Sequence, residues 1–401
     1  MSRGGRSGSR ARPDVPSVAA EWIDEDAALV AAVEEAIGTD RYAVDTEFHR
    51  ERTYWPKVAL VQIAWGVGDD ARIILIDPLA VSLEPLTDLF SGSGLAVMHA
   101  SSQDIEVFEQ AIGTVPAHLY DTQIAAGFAG YGTPSLTALV EGELGFRLPK
   151  GDRLTDWLRR PLDEHQRTYA ASDVAHLLEV HRRLDERLRD AGRTGWVAAE
   201  NEARRDWRPM REPDSAYHRI KEARQLRGAA LGVVRAVAAW RERRAADLDI
   251  PSRHVMADLA VVSIANRQPR SLGDLKGIRG LDDRMRRGPL AEQVLAAVAE
   301  GLEAGPPPHR PQTTDHELDR KLRPAVALVS AWVAQLARTN RIDTSLLATR
   351  SDIEDLLMTS SGRLAEGWRA ELVGGPVRDL VEGRAALAFD GDHLVLEPRA
   401  T

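Results

Sequence analysis

The sequence predicts a mixed α/β domain, a sheet flanked by helices, followed by all-helical domains. Two patterns and a break carry that prediction. Apolar runs of strand length occupy residues 42–48, 58–65, 72–76 and 95–99, while helical periodicity dominates 105–112, 121–130, 135–144 and 162–191. The break is RPMREPD (208–214), two prolines among charges, beyond which residues 215–303 read as almost entirely helical.

The first three strand-like runs follow one another through short links, which favours an antiparallel meander. The fourth lies among helices, so the sheet is expected to be mixed and covered by helices. In the second region the helical runs are 216–225, 228–247, 254–265 and 290–303, and the segment SLGDLKGIRGLDD joins the last two. Its Gly-Ile-Arg-Gly turn ahead of a helix suits backbone N–H donation to phosphate. GPPPHRPQTTD (305–315) is a linker, because three consecutive prolines cannot enter a helix interior. Helical runs return at 319–340, 351–358 and 367–373, and AALAFDGDHLVLEP reads as a hairpin turning at Asp-Gly. IDTSLLATRSDIEDLL echoes DIPSRHVMADLAVV some ninety positions earlier. The expected division is therefore a basic tail (1–17), an α/β domain (18–207), a helical domain (214–303), a linker (304–316) and a second helical domain (317–401).

Composition bounds the class. At 401 residues the chain has room for two or three domains, and 43% hydrophobic with 28% charged residues is ordinary for a globular protein. It has no cysteine, which excludes a disulfide framework and a Cys-based zinc site and fits a reducing compartment. No apolar run reaches the roughly 18 residues of a membrane span, and the tail MSRGGRSGSRARPDVPS is Gly-, Ser- and Arg-rich with no apolar segment behind it. A cytoplasmic protein with a disordered tail is expected. The net charge of −9 hides a local excess: residues 211–303 hold 17 Lys and Arg against 13 Asp and Glu. Local patches, not totals, govern contact with phosphates. The preference for Arg over Lys runs through the whole chain and signals composition, not a ligand.

Four acids stand where a carboxylate is awkward. Asp45 and Glu47 alternate within the apolar run AVDTEF, so both project from one face of a strand. Asp104 opens a helix after LAVMHAS, and Asp173 lies on the apolar stripe of TYAASDVAHLL. Burying a carboxylate is costly unless a cation or hydrogen bonds compensate it. Converging, the four would make an all-oxygen site for Mg²⁺ or Mn²⁺, and two such ions clamp a phosphodiester. Tyr169 sits one helical turn before Asp173, about 6 Å along the axis, where a phenol could hold or deprotonate an attacking water.

Each residue also has an ordinary reading. Acidic pairs at two-residue spacing are common on solvated strands. Ser101, Ser102 or Asp104 could simply cap a helix, as could Asp121 in LYDTQIAA. His176, one turn after Asp173, is set aside because Mg²⁺ prefers oxygen and no second His stands at matching spacing.

These motifs resemble those of the DEDD 3′-to-5′ exonucleases, in the subclass with tyrosine in the third motif, and most nearly the ribonuclease D family. The sister subclass places histidine five residues before the last aspartate, where this chain has Thr168. The resemblance runs from about Asp45 to Leu178 through DTEFHRERTYWPKVALVQIA, LYDTQIAAGF and LPKGDRLTDWLRRPLDEHQRTYAASDVAHL. VMADLAVVSIANRQPRSLGDLKGIRG is similar to an HRDC domain, the helical module named after helicases and ribonuclease D.

The resemblance implies a ribonuclease H-like fold followed by HRDC-type domains, and a metal-dependent 3′-to-5′ exoribonuclease. Catalysis would fall to Asp45, Glu47, Asp104, Tyr169 and Asp173. The four acids would hold two Mg²⁺ or Mn²⁺ ions: one on Asp45, Glu47 and Asp173, the other bridged by Asp45 and held through Asp104. Phe48 could stack on the terminal base. His99 and Gln103 border the second motif and could touch substrate, and Asp156-Trp157 could pack against and orient the third. The expected partner is RNA, tRNA precursors or other small structured RNAs with a single-stranded 3′ end, with no membrane and a monomeric chain. A DNA exonuclease and an inactive nucleic-acid-binding scaffold are the competing readings. The scaffold needs a broken site, and all five residues are present.

Overall fold

In a computed structural model of the chain, residues 19–149, 151, 155–208, 212–306 and 322–399 are described. The expected tail, most of the linker and residues 319–321 lie outside them. The described residues form two compact units. One takes in the chain up to Glu47, Ala59–Trp207 and Thr313–Thr401, and the other Phe48–Val58 with Arg208–Gln312.

The first unit is built on a six-stranded sheet. Its strands are β1 (Glu21–Ile23), β2 (Arg41–His49), β3 (Lys57–Trp65), β4 (Arg72–Ile76), β5 (Leu95–Met98) and β6 (Leu119–Asp121), in the spatial order β1-β4-β3-β2-β5-β6. β3 and β4 pair antiparallel, Val61 opposite Ile76, whereas β1–β4, β2–β5 and β5–β6 are parallel. The sheet is therefore mixed, as expected. The three-residue strands β1 and β6 extend it at both edges beyond what apolar runs reveal.

Tyr42, Ala43, Val44, Leu60, Val61, Ile63, Ile74, Leu75 and Ile76 are fully buried. Such continuous burial belongs to strands covered on both faces, which explains why these runs are apolar throughout instead of alternating. The helices are α1 (Asp26–Ile37), α2 (Leu86–Ser91), α3 (Ser102–Ile112), α4 (Thr122–Phe128), α5 (Leu136–Leu144), α6 (Glu164–Ala175), α7 (Leu177–Asp190) and α8 (Thr194–Asp206). α6 opens on a capping box, Asp163 accepting from the Gln166 N–H while the Gln166 side chain accepts from the Asp163 N–H. The single long helix expected over 162–191 is two, because His176 leaves helical geometry at φ −115° and ψ −1°.

The second unit centres on α9 (Ala229–Leu248), with α10 (Ser252–Val255), α11 (Asp258–Arg267) and α12 (Gly288–Ala304) packed around it. α9 and α12 cross on two glycines. A Cβ on Gly232 would lie 2.4 Å from the Gly301 carbonyl oxygen, and one on Gly301 would lie 2.6 Å from Val233 Cα. Only glycine permits backbones this close. Residues 48–58 are tied in from far away in sequence. The Asp249 carboxylate accepts from the Tyr54 and Trp55 N–H groups at 3.1 and 3.0 Å, and the Tyr54 hydroxyl donates to Glu242 at 2.8 Å.

The C-terminal segment comprises α13 (Leu322–Asn340), α14 (Thr344–Leu347), α15 (Arg350–Thr359), α16 (Gly367–Arg369), α17 (Gly375–Val381) and the hairpin β7 (Ala385–Phe389)–β8 (Leu394–Pro398). The hairpin turns at Asp390-Gly391 as expected, with Gly391 at φ +104°. This segment shares one apolar core with the α/β layer: Phe128, Leu139, Val180, Leu184 and Val197 pack with Val329, Trp332, Val333, Leu347 and Trp368. Trp368 stacks on Trp196 at 5.1 Å and meets the edge of Phe128 at 5.2 Å. Glu200 takes a two-pronged ion pair from Arg369, one arm at 2.7 Å, together with the Trp368 indole N–H. At Gly127 a Cβ would lie 2.6 Å from Leu346 Cδ1, and its carbonyl accepts the Asp343 N–H at 2.8 Å.

A chain ending at Trp207 would keep all five candidate catalytic residues but strip this cover from α4, α7 and α8. We expect that fragment to bind an apolar dye and to melt earlier and less cooperatively than the full chain. Differential scanning calorimetry with dye fluorescence checks this, and a sharp melt at the full-length temperature would contradict it.

Candidate active site

β2, α3 and α6 supply the five residues, and the structure brings them together. Asp45 and Glu47 are half-buried on β2 with Thr46 buried between them. Asp104 is only 6% exposed at the third position of α3. Asp173 lies in the last turn of α6, where the Tyr169 hydroxyl hydrogen-bonds it from one turn earlier.

Burial and mutual repulsion dominate the electrostatics. Asp45 is held well above the usual carboxylate range, first by burial and then by Asp104, Asp173 and Glu47. Burial, then Asp173 and Asp104, raises Glu47 to about 8. Burial lifts Asp173 to about 7 against the pull of the Tyr169 hydroxyl. It lifts Asp104 to about 6, while the hydrogen bond from the Thr46 hydroxyl, at 2.5 Å, pulls the other way. Burial and the neighbouring carboxylates also push the Tyr169 phenol up, so it keeps its proton at neutral pH. That proton is given to Asp173.

Among the described residues no basic side chain figures in what shifts these four acids. Four carboxylates offer the hard oxygen ligands that suit a divalent cation. No three His, Asp or Glu side chains among the described residues already stand at ligand spacing around one point.

Several supports come from outside the three motifs. Trp157 packs beside Tyr169 with ring centres 6.1 Å apart. Gly151 lies against the same ring: a Cβ there would come within 2.4 Å of Tyr169. Neither contact is local in sequence, so Gly151 carries no signal of its own. Asp121 does cap α4, accepting from the Gln123 and Ile124 N–H groups. Ser101 is the N-terminal boundary residue of α3, but its hydroxyl donates to Asp121 and caps nothing. His99 has both ring nitrogens engaged, Nδ1 with Thr122 Oγ1 at 2.9 Å and Nε2 with the Pro134 carbonyl at 3.2 Å. Gln103 is exposed. Phe48 is half-buried with the Arg50 guanidinium 6.0 Å from its ring centre. His176 packs on the edge of Phe146.

A profile of the 3′-5′ exonuclease family matches residues 20–189, and one of the HRDC domain matches residues 230–298. Fold and site thus define a 3′-5′ exonuclease domain followed by an HRDC domain. Ribonuclease D of Jannaschia sp. (strain CCS1) is 36% identical over 358 residues, 88% of this chain and 92% of that one. Ribonuclease D of Zymomonas mobilis subsp. mobilis is 35% identical over 390 residues, 93% and 97% of the two chains. The crystal structure of Escherichia coli RNase D, an exoribonuclease involved in structured RNA processing, matches with a TM-score of 0.79 at 29% identity, covering 91% of this chain and 99% of that one. The chain belongs to the ribonuclease D family. It is a 3′-5′ exoribonuclease, of a kind that generally depends on divalent metal.

Two outcomes follow from this geometry. Acids with raised pKa values favour the folded state while protonated, and that contribution is lost as pH rises through them, from their ordinary values near 4 to about 8. In EDTA the melting temperature should fall over this range, and Mn²⁺ should restore more of it at pH 8 than at pH 5. Melting curves at the two pH values with and without Mn²⁺ decide it, and equal restoration at both would count against the cluster. Separately, Gly151→Ala should displace the Tyr169 ring and cut kcat by about tenfold or more, a misplacement effect of the size expected near a reacting centre. Single-turnover cleavage measures this.

Proposed function

We propose that the protein removes mononucleotides hydrolytically from the 3′ end of RNA by a mechanism in which Asp45, Glu47, Asp104 and Asp173 hold two divalent cations, Mg²⁺ or Mn²⁺. The observation that carries this reading is the single cluster itself: four mutually repelling, desolvated acids with a protonated tyrosine on one of them. Bound there, the cations would lower the pKa of the attacking water and offset charge on the leaving 3′ oxygen.

The chain's own residues do the positioning. Tyr169 donates its one hydroxyl proton to Asp173, which leaves the phenol oxygen free to accept from, and so orient, an attacking water. Asp45 is the acid on which Asp104, Asp173 and Glu47 all act. Thr46 fixes one Asp104 oxygen and so orients the other. Phe48, next to Glu47 in sequence, is proposed to stack on the terminal base without sequence preference.

The proposed substrates are tRNA precursors and other small structured RNAs whose single-stranded 3′ end enters the site. The net-basic helical region would contribute phosphate contacts to the structured body. DNA is the second reading, since related chemistry serves both polymers. The discriminating experiment uses 5′-labelled RNA and DNA of one sequence, with and without metal. A ladder on RNA that disappears in EDTA and returns with Mg²⁺ supports the proposal, and equal or faster cleavage of DNA would sink the substrate assignment.

Asp45→Asn should abolish turnover with the fold intact by circular dichroism. Residual activity above about a tenth of wild type would be too much for a group at the centre of metal catalysis. Tyr169→Phe keeps the ring packing on Trp157 and loses only the donor. Its kcat should fall about 10²–10⁴-fold, with Mn²⁺ affinity nearly unchanged, and a near-normal kcat would reduce Tyr169 to a packing residue.

A further inference from the structure

An N-cap carboxylate ordinarily satisfies one or two backbone N–H groups of its own helix. Asp121 does more. Its Oδ1 accepts from Gln123 N–H at 2.9 Å and Ile124 N–H at 3.4 Å, which is the cap of α4. The same oxygen accepts from Ala100 N–H at 3.0 Å, and Oδ2 accepts from both the N–H and the hydroxyl of Ser101 at 2.8 Å. Five donors converge on one carboxylate that is 1% exposed.

Three of those donors belong to the turn between β5 and α3. Ala100 is held there at φ +56°, a left-handed conformation that residues with a Cβ seldom adopt and that surrounding bonds must enforce. Ser101 is the last residue before α3, and Asp104 follows three positions later. The Asp121 backbone is anchored in turn, its N–H donating to Asn201 Oδ1 at 3.1 Å from α8, with Asn201 itself 3% exposed. A continuous chain of hydrogen bonds thus runs from α8 through β6 to the start of the helix that presents Asp104.

We propose that Asp121 is a positioning residue for Asp104, setting the entry of α3 so that the Asp104 carboxylate stands where a divalent cation can use it. Bonds to an ionised acceptor are about twice as strong as neutral ones, so a carboxylate here constrains the turn more than an amide would. The proposal rests on the reading of Asp104 as a metal-holding residue. It extends the site to a residue outside the three exonuclease motifs.

Asp121→Asn is the direct test. The amide keeps the shape, but whichever way it turns, an NH₂ faces a backbone N–H and at least one of the five bonds is lost. Mn²⁺ binding to the full chain without RNA, followed by electron paramagnetic resonance, reads the site independently of turnover. The expected result is an affinity about tenfold lower for the Mn²⁺ that Asp104→Asn also weakens, in the range typical of lost outer-sphere partners. The Mg²⁺ concentration for half-maximal cleavage should rise in parallel, with kcat partly recovered at saturation. Ser135→Ala removes a cap of α5 alone and should lower stability without moving either metal constant. Wild-type metal constants in Asp121→Asn, with only a lower melting temperature, would overturn the proposal and leave Asp121 a plain helix cap. If Asp104→Asn binds Mn²⁺ like the wild type, the metal role of Asp104 fails first, and the positioning claim falls with it. Should Asp121→Asn not fold, Asn201→Ala spares every donor to the carboxylate. It is expected to weaken the same Mn²⁺ constant severalfold, and no change in it would refute the relay.

Discussion

Four carboxylates drawn out of water repel one another, and burial removes the solvent that would otherwise screen them. Left to itself, such a group would protonate or turn apart. The elements that carry the acids prevent the second escape. β2 sits in the middle of the sheet between β3 and β5, α3 enters through a turn bonded to Asp121, and α6 starts on a capping box. The raised pKa values mark the cost of holding the acids together. Much else in the first unit can be understood as scaffolding for this one unfavourable juxtaposition.

The cluster also assigns roles among chemically similar groups. Asp104 is raised least, to about 6, because the Thr46 hydroxyl donates to it. Asp173 is likewise moderated by the Tyr169 hydroxyl. Glu47 has no such donor among the causes that shift it, and it is pushed further, to about 8. Identical side-chain chemistry is thereby graded by single hydrogen bonds. Tyr169, surrounded by anions, is fixed as a proton-bearing donor.

How much of this could be read from sequence depended on whether the cause was local. Strands β2 to β5 showed themselves because burial on both faces demands continuous apolar runs; the four acids stood out as charges within or beside apolar segments, and Tyr169 by its spacing one turn before Asp173. β1 and β6 were invisible, since three residues make no pattern. The α6–α7 break at His176 left the helical periodicity of its neighbours intact and so gave no signal. Asp121 was legible as a cap through its position before an apolar helix, but its bonds to Ala100 and Ser101 span some twenty residues of chain. Gly151 against Tyr169 and His99 against Pro134 are likewise tertiary facts that composition and spacing do not encode.

The shared core of α4, α7 and α8 with α13–α17 has a bearing on how the protein is made. Between Asp206, the end of α8, and Leu322, the start of α13, lie more than a hundred residues. At about 5–20 residues per second of synthesis, the apolar side of the nuclease layer waits for roughly 6–23 seconds before its cover even begins to be made. Throughout that interval Phe128, Leu184 and Val197 lack the partners they have in the finished molecule. A nascent chain in this state offers a ready surface to a chaperone. An enzyme that degrades RNA would thus complete its core only after more than a hundred further residues have been translated.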